Sequence, residues 1–363
     1  MTPEERVLSY IEAPDPGGFD VLALEIFHHQ VARNDAYRRW CEATGSVPGR
    51  VARREDIPAV PVAAFKELEF CCGIPAAEFR TSGTTGAGRG RHLLPSLAPY
   101  RAAALGWFAR CVLVEGWPLR TLVLAPPPAL RPHSSLSRML AWIVEERGEP
   151  GSGWFVGAGG LEAERLAGAL LDARRGSGPV LIAATTAALL AFLDYCDATS
   201  LRLDLPGGSR LVDTGGQKGT RRPVPEPPAA FQAAVYARVA AILGIPPERC
   251  LNEYGMTELC SQAYDDCLVH PVPNAPGPRI KVVPPWVRVT VVDPVTLAPS
   301  APGAIGLLQF LDLANVGSVC AVLTEDLGWA EGDGFGLAGR PRDAESRGCG
   351  LTFAELLSRG AAT

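Results

Sequence analysis

Apolar positions along this chain follow a helical period in some stretches and form short continuous runs in others. Residues 1–40 show the helical period, which a Pro/Gly cluster at residues 14–18 interrupts. The other predicted elements are buried strands at residues 119–125 and 180–184, a strand that ends at Val212, helices at residues 186–197 and 229–243, and a strand pair within residues 279–292. Strands that alternate with helices predict an α/β fold with a substantially parallel sheet.

The composition is that of a globular protein with a large core. Of its 363 residues, 47% are apolar, and the net charge is −5 with no block of basic residues, which argues against a nucleic-acid partner. The longest apolar run, residues 180–193, is too short to span a bilayer, and the first residues do not have the pattern of a signal peptide. We therefore expect a cytoplasmic protein without membrane insertion.

Cysteine and lysine usage narrows the chemistry further. None of the ten cysteines forms a Cys-x-x-Cys pair, so we expect reduced cysteines and no zinc site. Lysine is almost absent, because only Lys66, Lys218 and Lys281 occur among 34 basic residues. A lysine that persists against such a bias merits attention as a functional candidate.

A loop rich in glycine and hydroxyl groups occupies residues 79–90. It reads Phe-Arg-Thr-Ser-Gly-Thr-Thr-Gly-Ala-Gly-Arg-Gly, and it ends without the Gly-Lys-Ser/Thr of a Walker loop. Backbone N–H groups and four hydroxyls in such a loop can surround a phosphate at close range. The sequence therefore predicts a phosphate loop; a flexible loop without a ligand is the alternative.

Two further motifs lie downstream of the phosphate loop. Residues 252–258 read Asn-Glu-Tyr-Gly-Met-Thr-Glu, and residues 213–219 read Asp-Thr-Gly-Gly-Gln-Lys-Gly. An aromatic ring suits a flat base, a fixed hydroxyl suits a phosphate in transfer, and a carboxylate suits a hard cation. These residue types are compatible with binding of a nucleotide and a divalent cation.

Together these motifs resemble those of the AMP-forming acyl-adenylating (ANL) superfamily, whose members activate a carboxylate with ATP and Mg²⁺. The resemblance implies that Tyr254 lies against adenine, that the Thr257 hydroxyl meets the α-phosphate and that Glu258 holds Mg²⁺. Asp326, in a variant of the Thr-Gly-Asp-Leu motif with Glu325 in the glycine position, is expected to bond the ribose, and Arg340 belongs to a Gly-Arg-x-x-Asp hinge. The implied nucleotide-binding residues are Thr81, Ser82, Gly83, Thr84, Thr85, Gly86, Arg89, Gly215, Gly216, Glu253, Tyr254, Gly255, Thr257, Asp326 and Arg340.

The end of the chain departs from the ordinary ligases of that superfamily. They continue into a mobile domain that carries a late lysine, whereas about twenty residues follow Asp343 here and none is lysine. Arg-Gly-Cys-Gly-Leu-Thr at residues 347–352 is similar to a C-terminal element of the acyl-protein synthetases, the LuxE family, as are residues 252–265 and 215–219. We therefore expect an α/β, ANL-type N-terminal domain at residues 1–336 and a short tail at residues 337–363.

The same resemblance implies that Cys349 accepts the acyl group as a thioester. Arg347 beside it would lower the pKa of the thiol, whereas Asp343 and Glu345 would raise it. The alternative is an inert buried cysteine. Lys218 is the candidate for the work of the missing lysine, with a plain surface lysine as its alternative.

The acyl group itself needs a pocket. His133 follows a predicted strand and could line it. Met256 and Trp107 are further candidates for its wall, although core packing also accounts for Trp107.

These expectations define a two-step enzyme that forms acyl-AMP from a carboxylic acid and MgATP and then an acyl thioester on Cys349. A carrier-protein or other protein thiol would receive the acyl group. The first alternative is an acyltransferase that no longer adenylates and moves an acyl group from acyl-CoA through Cys349 to an acyl carrier protein. The second is a non-catalytic nucleotide-binding subunit. The identity of the acid, the acceptor and the oligomeric state cannot be read from the sequence.

Overall fold

The computed structural model of the chain describes residues 1–81, 88–215, 228–270 and 278–340. These residues form two compact units. The first unit comprises the described parts of residues 1–106, 256–262 and 283–340, and the second comprises those of residues 107–255 and 263–282.

The first unit opens with four helices and three short strands. The elements, in chain order, are α1 (Pro3–Glu12), α2 (Phe19–Arg33), α3 (Asp35–Thr44), β1 (Val60–Pro61), β2 (Ala77–Arg80), β3 (Arg91–Leu94) and α4 (Ala98–Val112), whose last turns belong to the second unit. The Thr2 side chain accepts a hydrogen bond from Glu5 N and starts α1, and Asn34 caps α3 in the same way through Tyr37 N. The helical stretch predicted for residues 1–40 is confirmed.

The second unit alternates strands and helices. Its elements are β4 (Arg120–Leu124), α5 (Ser135–Arg147), β5 (Gly153–Trp154), β6 (Val156–Gly157), β7 (Gly160–Leu161), α6 (Ala163–Asp172), β8 (Val180–Thr185), α7 (Thr186–Ala198), β9 (Arg210–Thr214), α8 (Pro228–Leu243), β10 (Cys250–Tyr254), β11 (Ala263–Asp265) and β12 (Ile280–Val282). Strands β5, β4, β8, β9 and β10 run parallel in that order, and β11 and β12 follow in antiparallel pairing. The α/β class with a parallel-rich sheet is confirmed.

The first unit closes with four antiparallel strands, β13 (Val287–Val292), β14 (Gly306–Asp312), β15 (Ala321–Glu331) and β16 (Gly334–Gly339). β1 joins them by parallel pairing with β15. The strand pair predicted within residues 279–292 exists as two strands, but they pair with other elements, β12 with β11 and β13 with β14. The local sequence pattern indicates where a strand forms, but it does not determine which strand pairs with it.

The hydrophobic core of the second unit lies between its sheet and its helices. A cluster of buried apolar side chains comes from β4, β8 and β9 and from the helices α6, α7 and α8. Continuous apolar runs such as residues 180–184 are buried on both faces because helices cover the parallel sheet. Among the described residues, no helix is both long and apolar enough to cross a membrane.

Candidate functional site

The base of the predicted phosphate loop lies in the first unit, where β2 and β3 form a hairpin. Arg80 pairs with Arg91, and Phe79 pairs with His92. Just beyond the paired residues, Thr81 N donates to Gly90 O at 3.0 Å, and Gly90 N donates to the Thr81 hydroxyl at 3.0 Å. These two bonds close the loop at its base and engage one of the four hydroxyls that the sequence singled out.

Glu258 of the second motif lies at this base. A Cβ atom on Gly90 would meet Glu258 Oε1 at 3.6 Å and Thr81 Cγ2 at 3.1 Å, so the backbone approaches closely and favours glycine here. The carboxyl group is buried, and this burial raises the pKa of Glu258 to about 7. A carboxyl group with its charge poorly solvated is a strong candidate to bind a cation.

The described residues suit an Mg²⁺ ion that binds together with the nucleotide rather than one held by protein side chains alone. Within the described part of the chain, no group of three or more His, Cys, Asp or Glu side chains is arranged to hold a metal ion. Mg²⁺ is commonly held by one or two carboxylates together with substrate phosphates, and it then neutralises phosphate charge. Glu258, beside the phosphate loop, suits that mode.

The predicted ribose-binding group also lies in the first unit. Arg340 Nε donates to Asp326 Oδ1 at 2.5 Å, and the Arg340 guanidinium lies 3.9 Å from Glu325. Asp326 is in β15, and its backbone N–H bonds the Thr324 hydroxyl. Asp326 and Arg340, both predicted to bind the nucleotide, therefore lie in contact. Glu325 stands where the superfamily motif has glycine.

In the second unit, β8, β9 and β10 end together. Thr185 pairs with Thr214, and Thr214 pairs with Glu253. Gly215 follows with φ +99°, a conformation that glycine adopts readily. Ligands of parallel sheets bind at such carboxyl ends, and Gly215, in the described part of the predicted turn, lies at one of them.

A buried polar network supports this turn. Asn252 Nδ2 donates to the carbonyl oxygens of Asp213 and Gly215 at 3.1 and 3.2 Å. The Asp213 carboxylate accepts hydrogen bonds from the Tyr236 and Thr186 hydroxyls, both at 2.6 Å. Burial raises the pKa of Asp213, and these two donors oppose that shift.

Lys281 completes the network. Its Nζ donates to Asn252 O and Oδ1, both at 2.9 Å, and to Asp265 Oδ1 at 2.5 Å. Lys281 is 3% exposed and Asp265 is fully buried. Sequence reasoning gave neither residue a role, although the rarity of lysine was a usable signal.

We expect Lys281→Met to lower the free energy of unfolding by about 3 kcal/mol, because it leaves Asp265 as a buried carboxylate with a weakened set of partners. Arg279 Nη1 remains 3.4 Å from Asp265, which sets the loss at the lower end of the usual range. Urea unfolding measures it. Lys66→Met is the matched control, because Lys66 is exposed; equal losses in both variants would contradict the network.

Glu253 has a different environment from Glu258. Its carboxylate accepts a hydrogen bond from the Thr214 hydroxyl, and burial raises the pKa of Glu253 to about 7. It borders a small cavity whose other walls are mostly apolar. The lining side chains are Phe108, Leu136, Met139, Leu140, Ala183, Ala184, Val212, Thr214 and Tyr264.

The remaining predicted residues vary in exposure. Tyr254, Met256 and Thr257 are half-buried, whereas Gly255 and Arg89 are exposed. His133 is exposed on the turn before α5, and Trp107 is buried in α4, while the adjacent Phe108 borders the cavity. Predicted positions outside the described residues are Ser82, Gly83, Thr84, Thr85, Gly86, Gly216, Lys218 and Cys349.

Solved structures of acyl-activating ligases share this fold. A 2-hydroxyisobutyryl-CoA ligase in the postadenylation state, in complex with R3-HIB-AMP, matches with a TM-score of 0.63 and 17% identity over 89% of this chain and 68% of that one. ATP-bound MatB from Rhodopseudomonas palustris matches with a TM-score of 0.51 and 19% identity over 73% of this chain and 48% of that one. These likenesses confirm the ANL-type fold.

Sequence comparisons find a resemblance to one family over part of the chain. Residues 202–358 match the model of the family described as acyl-protein synthetase, LuxE, which confirms the predicted resemblance over that part of the chain. The long-chain-fatty-acid–luciferin-component ligase of Aliivibrio fischeri is 31% identical over 88 residues, or 22% of this chain. The ligase of the same name from Vibrio harveyi is 34% identical over 83 residues. The matched segments span only 23% and 22% of the two relatives.

Proposed function

We propose that this chain activates a carboxylic acid with MgATP, giving acyl-AMP and pyrophosphate, and then carries the acyl group as a thioester on Cys349. The observation that carries the first step is the Glu258 carboxyl group at the base of the phosphate loop, beside Gly90. Two motifs that are distant in the sequence meet there, and their residue types suit a cation and a phosphate.

The second step rests on the resemblance of the tail to the acyl-protein synthetases. The acyl carbonyl carbon of acyl-AMP would be attacked by the Cys349 thiolate, which forms the thioester and releases AMP. A thiol of an acyl carrier protein or another protein would then attack the thioester and free Cys349. Long-chain fatty acids are the first substrates to test, because both relatives are named long-chain-fatty-acid–luciferin-component ligase.

Several residues of the chain have proposed tasks in the first step. The phosphate loop would bind the phosphates, and the Thr257 hydroxyl would donate to the α-phosphate. Asp326 would accept from the ribose hydroxyls, with Arg340 holding its carboxylate. Tyr254 would lie against the adenine. Mg²⁺, held through Glu258, would supply neutralising charge.

The deciding experiment is acid-dependent exchange of labelled pyrophosphate into ATP, with intact-mass measurement of the protein in parallel. Fatty and aromatic acids are supplied with MgATP, and the matching acyl-CoAs are supplied without ATP. Exchange together with an acyl adduct supports the proposal. An adduct from acyl-CoA alone would make the protein an acyltransferase. Nucleotide binding with neither exchange nor adduct would indicate a non-catalytic subunit.

The raised pKa of Glu258 predicts a pH dependence for MgATP binding. Cation binding needs the ionised carboxylate, and this form is lost as the pH falls through about 7. We therefore expect the affinity for MgATP to fall by up to about tenfold per pH unit below 7, since one proton competes with the cation. Calorimetric titration with excess Mg²⁺ measures this. Glu258→Gln should bind more weakly and lose the slope, and an unchanged slope in that variant would assign the effect to another group.

A further inference from the structure

A buried histidine connects the phosphate loop to the second motif, and sequence reasoning gave it no role. His92 is in β3, two residues after Gly90, and is 1% exposed. Its Nδ1 lies 2.7 Å from the Thr257 carbonyl oxygen. Its ring packs edge-on against Phe65 with the ring centroids 5.9 Å apart. All these residues belong to the first unit.

The other ring nitrogen faces a second buried residue. His92 Nε2 lies 2.9 Å from Asn315 Oδ1, and Asn315 Nδ2 donates to the Glu258 carbonyl oxygen at 2.9 Å. Cys260 Sγ, at 3.5 Å, also donates to Asn315 Oδ1. His92 and Asn315 therefore hold the backbone carbonyl groups of Thr257 and Glu258, the two residues expected to act on the phosphate and the cation.

Hydrogen-bond chemistry identifies the contact on which the ring depends. Carbonyl oxygens only accept, so Asn315 must point its amide group at Glu258 and its Oδ1 at His92. Both partners of the ring are therefore acceptors, and a neutral imidazole can donate to only one of them. Burial lowers the pKa of His92 to about 4, so the ring is neutral near pH 7. Its single proton belongs on Nδ1, which makes the shorter contact.

We propose that His92 is a positioning residue whose Nδ1–H holds the Thr257 carbonyl group, so that the Thr257 hydroxyl and the Glu258 carboxyl group keep their alignment at the phosphate loop. The proposal rests on the proposed function for its kinetic consequence, but the hydrogen bond itself can be tested without any reaction. Misplacement of a reacting group by about 1 Å is enough to cost about 100-fold in rate.

Two substitutions that introduce an amide side chain distinguish the roles of the two ring contacts. His92→Asn places an N–H near the position of Nδ1 and keeps the bond to Thr257, whereas His92→Gln places one near Nε2, where it can donate only to Asn315. His92→Phe removes both while retaining a ring. We expect kcat for pyrophosphate exchange to fall by about 100-fold in the Gln and Phe variants, with KM for ATP nearly unchanged, and to fall far less in the Asn variant.

Hydrogen–deuterium exchange of the peptide that spans residues 256–262, measured without substrates, is the independent readout. It should be faster in the Gln and Phe variants than in wild type and the Asn variant. Asn34→Ala is the control for global destabilisation, because Asn34 is buried, caps α3 and contacts Ser318 rather than the motif; it should lower stability without changing kcat.

The outcomes separate the two proposals. Wild-type protein without pyrophosphate exchange would overturn the proposed function, and the order of deuterium exchange would still decide the role of His92. Equal kcat and equal deuterium exchange in the Asn and Gln variants would overturn the positioning role, as would a Phe variant that behaves like wild type in both. A Gln variant that outperforms the Asn variant would transfer the role to the Asn315 contact and contradict the proposed tautomer.

Discussion

Glu258→Gln should lower the rate of pyrophosphate exchange by about 10²–10³-fold, because it removes the carboxylate charge that Glu258 would present to the cation beside the phosphate loop. The fold should be retained or slightly stabilised. The carboxyl group is buried with a pKa of about 7, and a neutral amide of the same shape avoids its desolvation. Exchange kinetics at saturating MgATP and a thermal unfolding scan measure the two effects.

Glu325→Gln is the matched control for this substitution. Glu325 is also in the first unit, and its side chain is 40% exposed and lies 3.9 Å from Arg340. An exposed ion pair of that kind contributes little to stability, so the pyrophosphate exchange rate of Glu325→Gln should stay close to that of wild type. If Glu258→Gln exchanged pyrophosphate as fast as wild type, Glu258 would not hold the cation. If both variants lost activity equally, general acidity of this region would explain the loss better than a specific cation ligand.

Cys349→Ser should abolish the acyl adduct on the protein while pyrophosphate exchange continues. A serine hydroxyl is a far weaker nucleophile than a thiolate, and the adenylation step does not need the thiol in the proposed mechanism. Intact mass after incubation with MgATP and the acid measures the adduct. Acyl-AMP should then accumulate or hydrolyse, so that AMP release becomes slow.

Cys71→Ser is the control for this prediction. Cys71 is a partly exposed thiol, whereas most cysteines in the described part of the chain are buried. Its loss should leave the acyl adduct in place. An adduct that persists in Cys349→Ser and disappears in Cys71→Ser would assign the nucleophile to Cys71. An adduct that disappears in both would indicate that the thiols act together.

Much of the secondary structure could be predicted because it depends on local patterns. The run at residues 180–184 became β8 because helices bury both of its faces, and the Pro/Gly cluster at residues 14–18 separates α1 from α2. The pairing of the strands was harder to predict from the sequence. β12 and β13 are close in sequence, but each pairs with its other neighbour along the chain, β12 with β11 and β13 with β14, and the local pattern does not specify which neighbour is chosen.

The site could be predicted wherever a motif carries its own chemistry. The Gly/Thr-rich loop, the turn at Gly215 and the Tyr-Gly-Met-Thr-Glu segment were recognisable because each needs particular residue types at fixed spacing. Supporting residues were not recognisable. Asn315 stands in no motif, and its importance follows only from a carboxamide that contacts both His92 and the Glu258 carbonyl group.

The sequence by itself determined the fold class, the candidate for a phosphate loop and the resemblance to acyl-protein synthetases, because these rest on local patterns and motifs. The tertiary structure decided how close the Glu258 carboxyl group comes to the loop, since Glu258 approaches Gly90 only after the chain has passed through the second unit. The tertiary structure also decided the pKa values of two buried side chains. The pKa values of His92 and Glu258 depend on burial, and burial is a property of packing that no residue carries alone.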